Sequence, residues 1–134
     1  MSEEIPGSID GTALARWYSS AHELLRALDA CRQVVDSMMV GTAATNLLLA
    51  DELAELTRNA EFWLAAHPCP DPRTGEHMGA IAHAYAMAGD MVVDAGGDST
   101  NADQAELKDI VTEAGVMLDE VTDLVDRLAM ATEI

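Results

Sequence analysis

The stretch LARWYSSAHELLRALDACRQVVDSM, residues 14–38, decides the fold. Its apolar positions are Leu14, Trp17, Ala21, Leu24, Leu28, Cys31, Val35 and Met38, separated by alternating steps of three and four. That spacing sets all eight on one face of an α-helix. Tyr18, Leu25 and Met39 widen the face beyond the narrow stripe of a two-stranded coiled coil, so the segment predicts a helix lining the inside of a bundle.

The rhythm returns three times. A second seam runs through Leu49, Leu53, Leu56, Ala60 and Trp63, broadened by Leu47, Leu48 and Leu64; a third through Met78, Ile81, Tyr85, Ala88 and Val92. The fourth repeats the opening over Leu107, Ile110, Ala114, Met117, Val121, Leu124, Leu128 and Ala131, with Val111, Leu118 and Val125 beside it. No segment alternates as a strand does.

The breaks between seams carry helix punctuation. Asp10 or Thr12 can cap the first helix, and Gly41 suits a left-handed stop at its end. Thr42, Thr45 and Asn46 can each cap the second helix. Three prolines in the stretch from His67 to Pro72 end it, and Asp71 followed by Pro72 opens the third. Gly96-Gly97 stop the third helix, and Asn101 answered by Gln104 matches a capping box for the fourth.

These signals predict an all-α fold: a single-domain, up-down-up-down antiparallel four-helix bundle. Its helices are expected at about 11–40, 43–66, 72–95 and 102–131, with residues 1–10 as a flexible lead-in and 11–134 as the bundle. Short connections force sequential helices to run antiparallel. Aligning the first helix with the fourth should bring Arg26 near Asp119 and Arg32 near Glu113.

Composition limits the function. Twenty-four acids oppose six Arg and the single Lys108, a net charge of -17. Such a chain repels nucleic acid and anionic membranes and favours a basic protein surface. A GC-rich genome or a salt-adapted proteome would give the same acidic bias. No apolar run reaches the ~18 residues of a membrane span, and no apolar core follows the acidic N-terminus, so a cytoplasmic location is expected. Cys31 on the first seam and Cys69 in the proline-rich loop fall too far apart along the bundle axis for a disulfide.

Few residues suggest chemistry. No His has an acid three residues before it, which excludes a carboxylate-bridged di-iron bundle. His67, Cys69 and His77 offer three ligand positions without a recognised zinc spacing. Glu52 and Glu55 lie three apart and could hold Mg²⁺ through oxygen ligands. On an antiparallel neighbour, His83 and Asp90 share a stripe with Met87 and Asp94 at their level. Glu52 and Glu55 partly resemble the first acidic helix of MazG-like nucleotide pyrophosphohydrolases, in which a Glu-x-x-Glu helix faces a Glu-x-x-Asp helix. The resemblance covers about forty residues and implies a Mg-dependent hydrolase using Glu52 and Glu55 with Asp90. The second motif departs from the family, because Met87 and Met91 stand three residues before Asp90 and Asp94.

Two further features point to binding. From Asp103 to the C-terminus, nine acids face only Lys108 and Arg127, whereas the first helix balances three Arg against three acids. This polarity marks Glu106, Asp109, Glu113, Glu120 and Asp123 as a candidate docking surface for a basic protein. The expected function is therefore non-catalytic: an adaptor, regulator or inhibitor working without a cofactor. Nucleic-acid mimicry is a further alternative. The second feature is a small-residue stripe on the third helix, Gly75, Gly79, Ala82, Ala86 and Gly89, which suits close packing of a neighbouring helix. Gly79, Ala82 and Ala86 would also suit a homodimer contact.

Overall fold

A computed structural model describes residues 11–132, with side chains of the terminal helices described from 16 to 127. The expected lead-in and the Asp10 or Thr12 cap fall outside the described residues and side chains, as do seam positions Leu14, Leu128 and Ala131. Helix α1 spans Gly11–Val40, α2 Ala43–Ala66, α3 Pro72–Asp94 and α4 Gln104–Thr132. A short 3₁₀ turn, η1, occupies Ser99–Asn101. The four helices form the expected bundle, each packed on its sequence neighbours, with α4 closing onto α1. Helix α1 also meets α3 across the core, leaving α2 and α4 at the outer corners.

The opening seam is the bundle's centre. Trp17, Ala21, Leu24, Leu28, Cys31, Val35 and Met38 are all buried, as are Tyr18 and Leu25. From α3 come Met78, Ile81, Tyr85, Ala88 and Val92, and from α4 Leu107, Ala114, Leu118, Val121 and Val125. Burying a large apolar side chain contributes roughly 1.5–3 kcal/mol, which is why these seams anchor the fold.

Helix α2 keeps its expected seam: Leu53 and Ala60 are buried, and Leu49, Leu56, Trp63 and the flanking Leu64 pack against the core. Leu47 and Leu48 do not broaden the core: they are 44% and 73% exposed. The inward positions include two polar residues instead, Asn46 and Thr57, beside Leu53 and Ala60. At 3.6 residues per turn Leu47 and Leu48 fall about 120° and 140° around the helix from Leu53 and so turn outward. A Cβ added to Gly89 would fall 2.6 Å from Leu53 Cδ2, so the glycine admits Leu53 into the helix-helix contact. The small-residue stripe thus packs inside the bundle at Gly89, and Ala82 is fully buried, whereas Gly79 faces open space.

The connections show which punctuation acts. Thr42 caps α2, accepting from the Thr45 N–H, and Asp71 caps α3, accepting from Arg73 with Pro72 in the first turn. Gly41 is not a left-handed stop, since only Gly96 and Gly97 have positive φ among the described residues. Its hydrogen matters for space: a Cβ there would collide with Asn46 Oδ1. Asn46 is buried and ties both turns of that end together, donating to Met38 O and Gly97 O at 2.8 Å each. At the end of α3, Gly97 N–H bonds Val92 O and Gly96 N–H bonds Val93 O, the paired bonds of a Schellman stop.

Helix α4 begins two residues later than expected and is capped differently. The Glu106 N–H bonds Asp103 Oδ1, while Gln104 turns back to donate to Ser99 O within η1. Asn101 belongs to the 3₁₀ turn, where Asp98 is the cap. Buried Ser99 bonds Met39 O and seats this turn on the end of α1.

Candidate functional site

Antiparallel α1 and α4 meet through charge in a shallow groove. Arg32 bridges Asp119 at 2.9 Å and Asp29 at 3.2 Å, and His22 Nε2 lies 3.6 Å from Asp126. Arg32 therefore pairs with Asp119, not with Glu113 as the alignment from sequence expects. Helical side chains lean toward their own N-terminus, which carries the Arg32 guanidinium along α4 toward higher residue numbers. The neighbouring carboxylates hold the guanidinium further above its already high range. Partly exposed pairs of this kind each contribute about 0–1 kcal/mol and serve mainly to set register.

Helix α3 separates the residues read as a possible metal set. His83 and Met87 line a groove of about 210 Å³ against α4, where Glu113 and Met117 form the other wall. Asp90 lines a different groove, against α2. Glu52 and Glu55 are exposed on the side of α2 turned away from that groove. Among the described residues, no three His, Cys, Asp or Glu side chains gather as a metal ligand set.

The α2–α3 groove encloses about 360 Å³. Its floor is Ala50, Leu53, Ala54, Thr57, Ala86 and Gly89. Asp51, Arg58 and Glu61 rise from α2 and Asp90 from α3, with Val93 at one end. The small residues of α3 and Asp90 stand out in the sequence, whereas Asp51 and Glu61 do not announce themselves there as groove residues. Their signal was an i, i+3, i+7, i+10 spacing through Asp51, Ala54, Arg58 and Glu61, masked by the nearby Glu52/Glu55 pair.

At the opposite corner, Glu106, Asp109, Glu113, Glu120 and Asp123 are all exposed on α4. Val116 sits among them with about half its surface open, 52%. Asp123 pairs with Arg127 at 3.2 Å. The five acids share the outward face because Leu107, Ala114, Leu118, Val121 and Val125 turn the opposite face into the core.

The cysteines and buried tyrosines offer no poised nucleophile. Both cysteines are free, and burial pushes each thiol up, Cys31 to about 12. Burial likewise pushes Tyr85 up to about 12, and its hydroxyl has no hydrogen-bond partner among the described residues. Both folded values lie above the ordinary ones, so their contribution to stability is complete below pH 9 and is lost as pH rises through 12. The urea midpoint should therefore fall between pH 9 and 12. Tyr85→Phe should flatten that fall and leave neutral-pH stability unchanged or higher by about 1 kcal/mol, since it removes an unsatisfied buried hydroxyl. A clear loss at neutral pH would show that the hydroxyl has a partner.

Fold and surface together define a class: an acidic antiparallel four-helix bundle, with exposed charge on two outer corner helices. Comparison of the chain with protein-family models, curated proteins and solved structures finds no match.

Proposed function

We propose that this protein is non-catalytic and acts by binding another protein with a basic surface through the outer face of α4. The supporting observation is the arrangement of Glu106, Asp109, Glu113, Glu120 and Asp123 around exposed Val116. Acids steer a basic partner during encounter, and an exposed apolar residue among them supplies a contact that gains from losing water. The five acids extend over ~26 Å of helix, one charge per ~5 Å. Duplex DNA carries one per ~1.7 Å, so an ordinary basic protein surface suits this face better than a nucleic-acid-binding cleft.

The test is affinity capture from a native cell extract at low and high salt, followed by association kinetics with the captured protein. Association should be fast at low salt and slow steeply as ionic strength rises. Reversing Glu113, Glu120 and Asp123 to Lys should slow it while the circular dichroism spectrum stays that of the parent. Retention of nothing at low salt would overturn the reading. Turnover of a nucleoside triphosphate with Mg²⁺ or Mn²⁺, abolished by Glu52→Gln, would replace it with the hydrolase reading.

A further inference from the structure

We infer that the groove between α2 and α3 is the seat of a basic amphipathic helix from a partner protein. The inference shares the basic-partner reading but places a contact on a different corner from α4, and it stands on the groove's own shape and charge. Ala50 and Ala54 from α2, with Ala86 and Gly89 from α3, keep the floor of the trough low along its length. Ala50, Ala54, Ala86 and Gly89 present little side-chain bulk to an incoming helix, so close approach to the two backbones is sterically allowed at these positions. From Ala50 to Glu61 the trough runs ~17 Å, about three turns of a docked helix.

The open apolar surface of the trough is that of the alanines and Val93, since Leu53 beneath them is buried, and the rim is acidic. Asp51 and Glu61 flank it on α2 and Asp90 on α3, against the one cation Arg58. Among the described residues, none of these four forms an ion pair within the bundle. Val93, 42% exposed, adds open apolar surface at one end of the trough. A helix with an apolar stripe bordered by Lys or Arg complements all three features, inserting i, i+3, i+4 and i+7 residues between the alanines and pairing its flanks with the rim. A second copy of this chain does not. It carries the same net charge of -17 and would bring acids against acids.

The probe is a fluorescein-labelled peptide of about 16 residues, ~24 Å as a helix. It is built from Leu, Ala and Lys in amphipathic order, with a scrambled peptide of the same composition as control. Anisotropy with the full chain should show saturable binding at least about tenfold tighter for the amphipathic order, a preference of ~1.4 kcal/mol. Amide resonances of Ala50, Ala54, Ala86 and Gly89 should shift on titration. Ala54→Phe, at an exposed position that tolerates a larger side chain, should fill the trough and weaken binding about tenfold or more. Asp90→Lys should weaken it and reduce its salt dependence.

Equal affinity for the scrambled peptide, or an unaffected Ala54→Phe variant, would overturn the inference. Shifts confined to α4 would also overturn it while leaving the α4 reading intact. Conversely, groove shifts combined with native-partner association that ignores the α4 reversals would sustain the groove and remove the α4 face. Concentration-dependent shifts of the groove amides without peptide, with a dimer in sedimentation broken by Ala54→Phe, would assign the groove to a second copy and overturn the heterologous partner.

Discussion

Leu28→Asp is expected to lower the melting temperature by roughly 15 °C, the largest effect of any single change proposed for this protein. Leu28 has no exposed surface and lies midway along α1, the helix that touches all three others. An aspartate there loses the packing of a buried leucine and places a carboxylate among apolar neighbours, and Arg32, one turn on, is already paired with Asp119 and Asp29. Burying an unpaired charge is among the few mechanisms that cost about 4 kcal/mol or more. For a chain of this length each kcal/mol moves the midpoint by roughly 4 °C. Far-ultraviolet circular dichroism followed through the thermal transition measures it. A midpoint equal to that of the parent would place Leu28 outside the core.

Gly97→Ala should be the second largest, and its comparison with Gly96→Ala isolates the reason. Both glycines have positive φ, +76° at Gly96 and +89° at Gly97. Either alanine therefore meets the left-handed backbone cost of about 1–2 kcal/mol. A Cβ at Gly96 would have open space, whereas at Gly97 it would lie 2.5 Å from Ala43 O and 3.0 Å from Leu47 Cγ. The obstacle is backbone at the start of α2, which must shift for the methyl to fit. Overpacking of this kind adds about 1–3 kcal/mol. Urea unfolding should place the Gly97 variant below the Gly96 variant by that margin. Equal midpoints would mean that the α3–α4 turn is not seated against α2, and would also weaken the tie that Asn46 makes to Gly97 O.

The two mutations divide along the line between pattern and contact. Leu28 is identifiable as core from its position in the chain, because a step of three or four residues repeated along one helix permits only one buried face. The same holds for the helix breaks at Gly41-Thr42, Pro68 to Pro72 and Gly96-Gly97, where chain stiffness and capping chemistry are local. Gly97 is different. Its positive φ is hinted at by the Gly-Gly pair, but its neighbour across space is Ala43, more than fifty residues earlier in the chain.

The candidate surfaces divide in the same way. That α4 carries an acidic outer face follows from its seam: fix the buried positions and the exposed ones are determined by the helical period. Helix α2 resists that treatment, since Leu47 and Leu48 compete in sequence with Asn46 and Ala50 for the inner face. Tertiary structure settled which residues meet α3: Leu53 packs where Gly89 lacks a side chain, while Leu47 and Leu48 stay exposed. Packing against α3 set Asp51 and Glu61 beside the groove and left Glu52 and Glu55 outside it. Four helices, their breaks and the acid on α4 are legible in the chain alone, as consequences of local period and charge. Which carboxylates share a groove, which glycine is crowded and which arginine meets which aspartate were decided only when the helices packed, because close packing depends on the shapes of both partners and the seam of one helix records only its own.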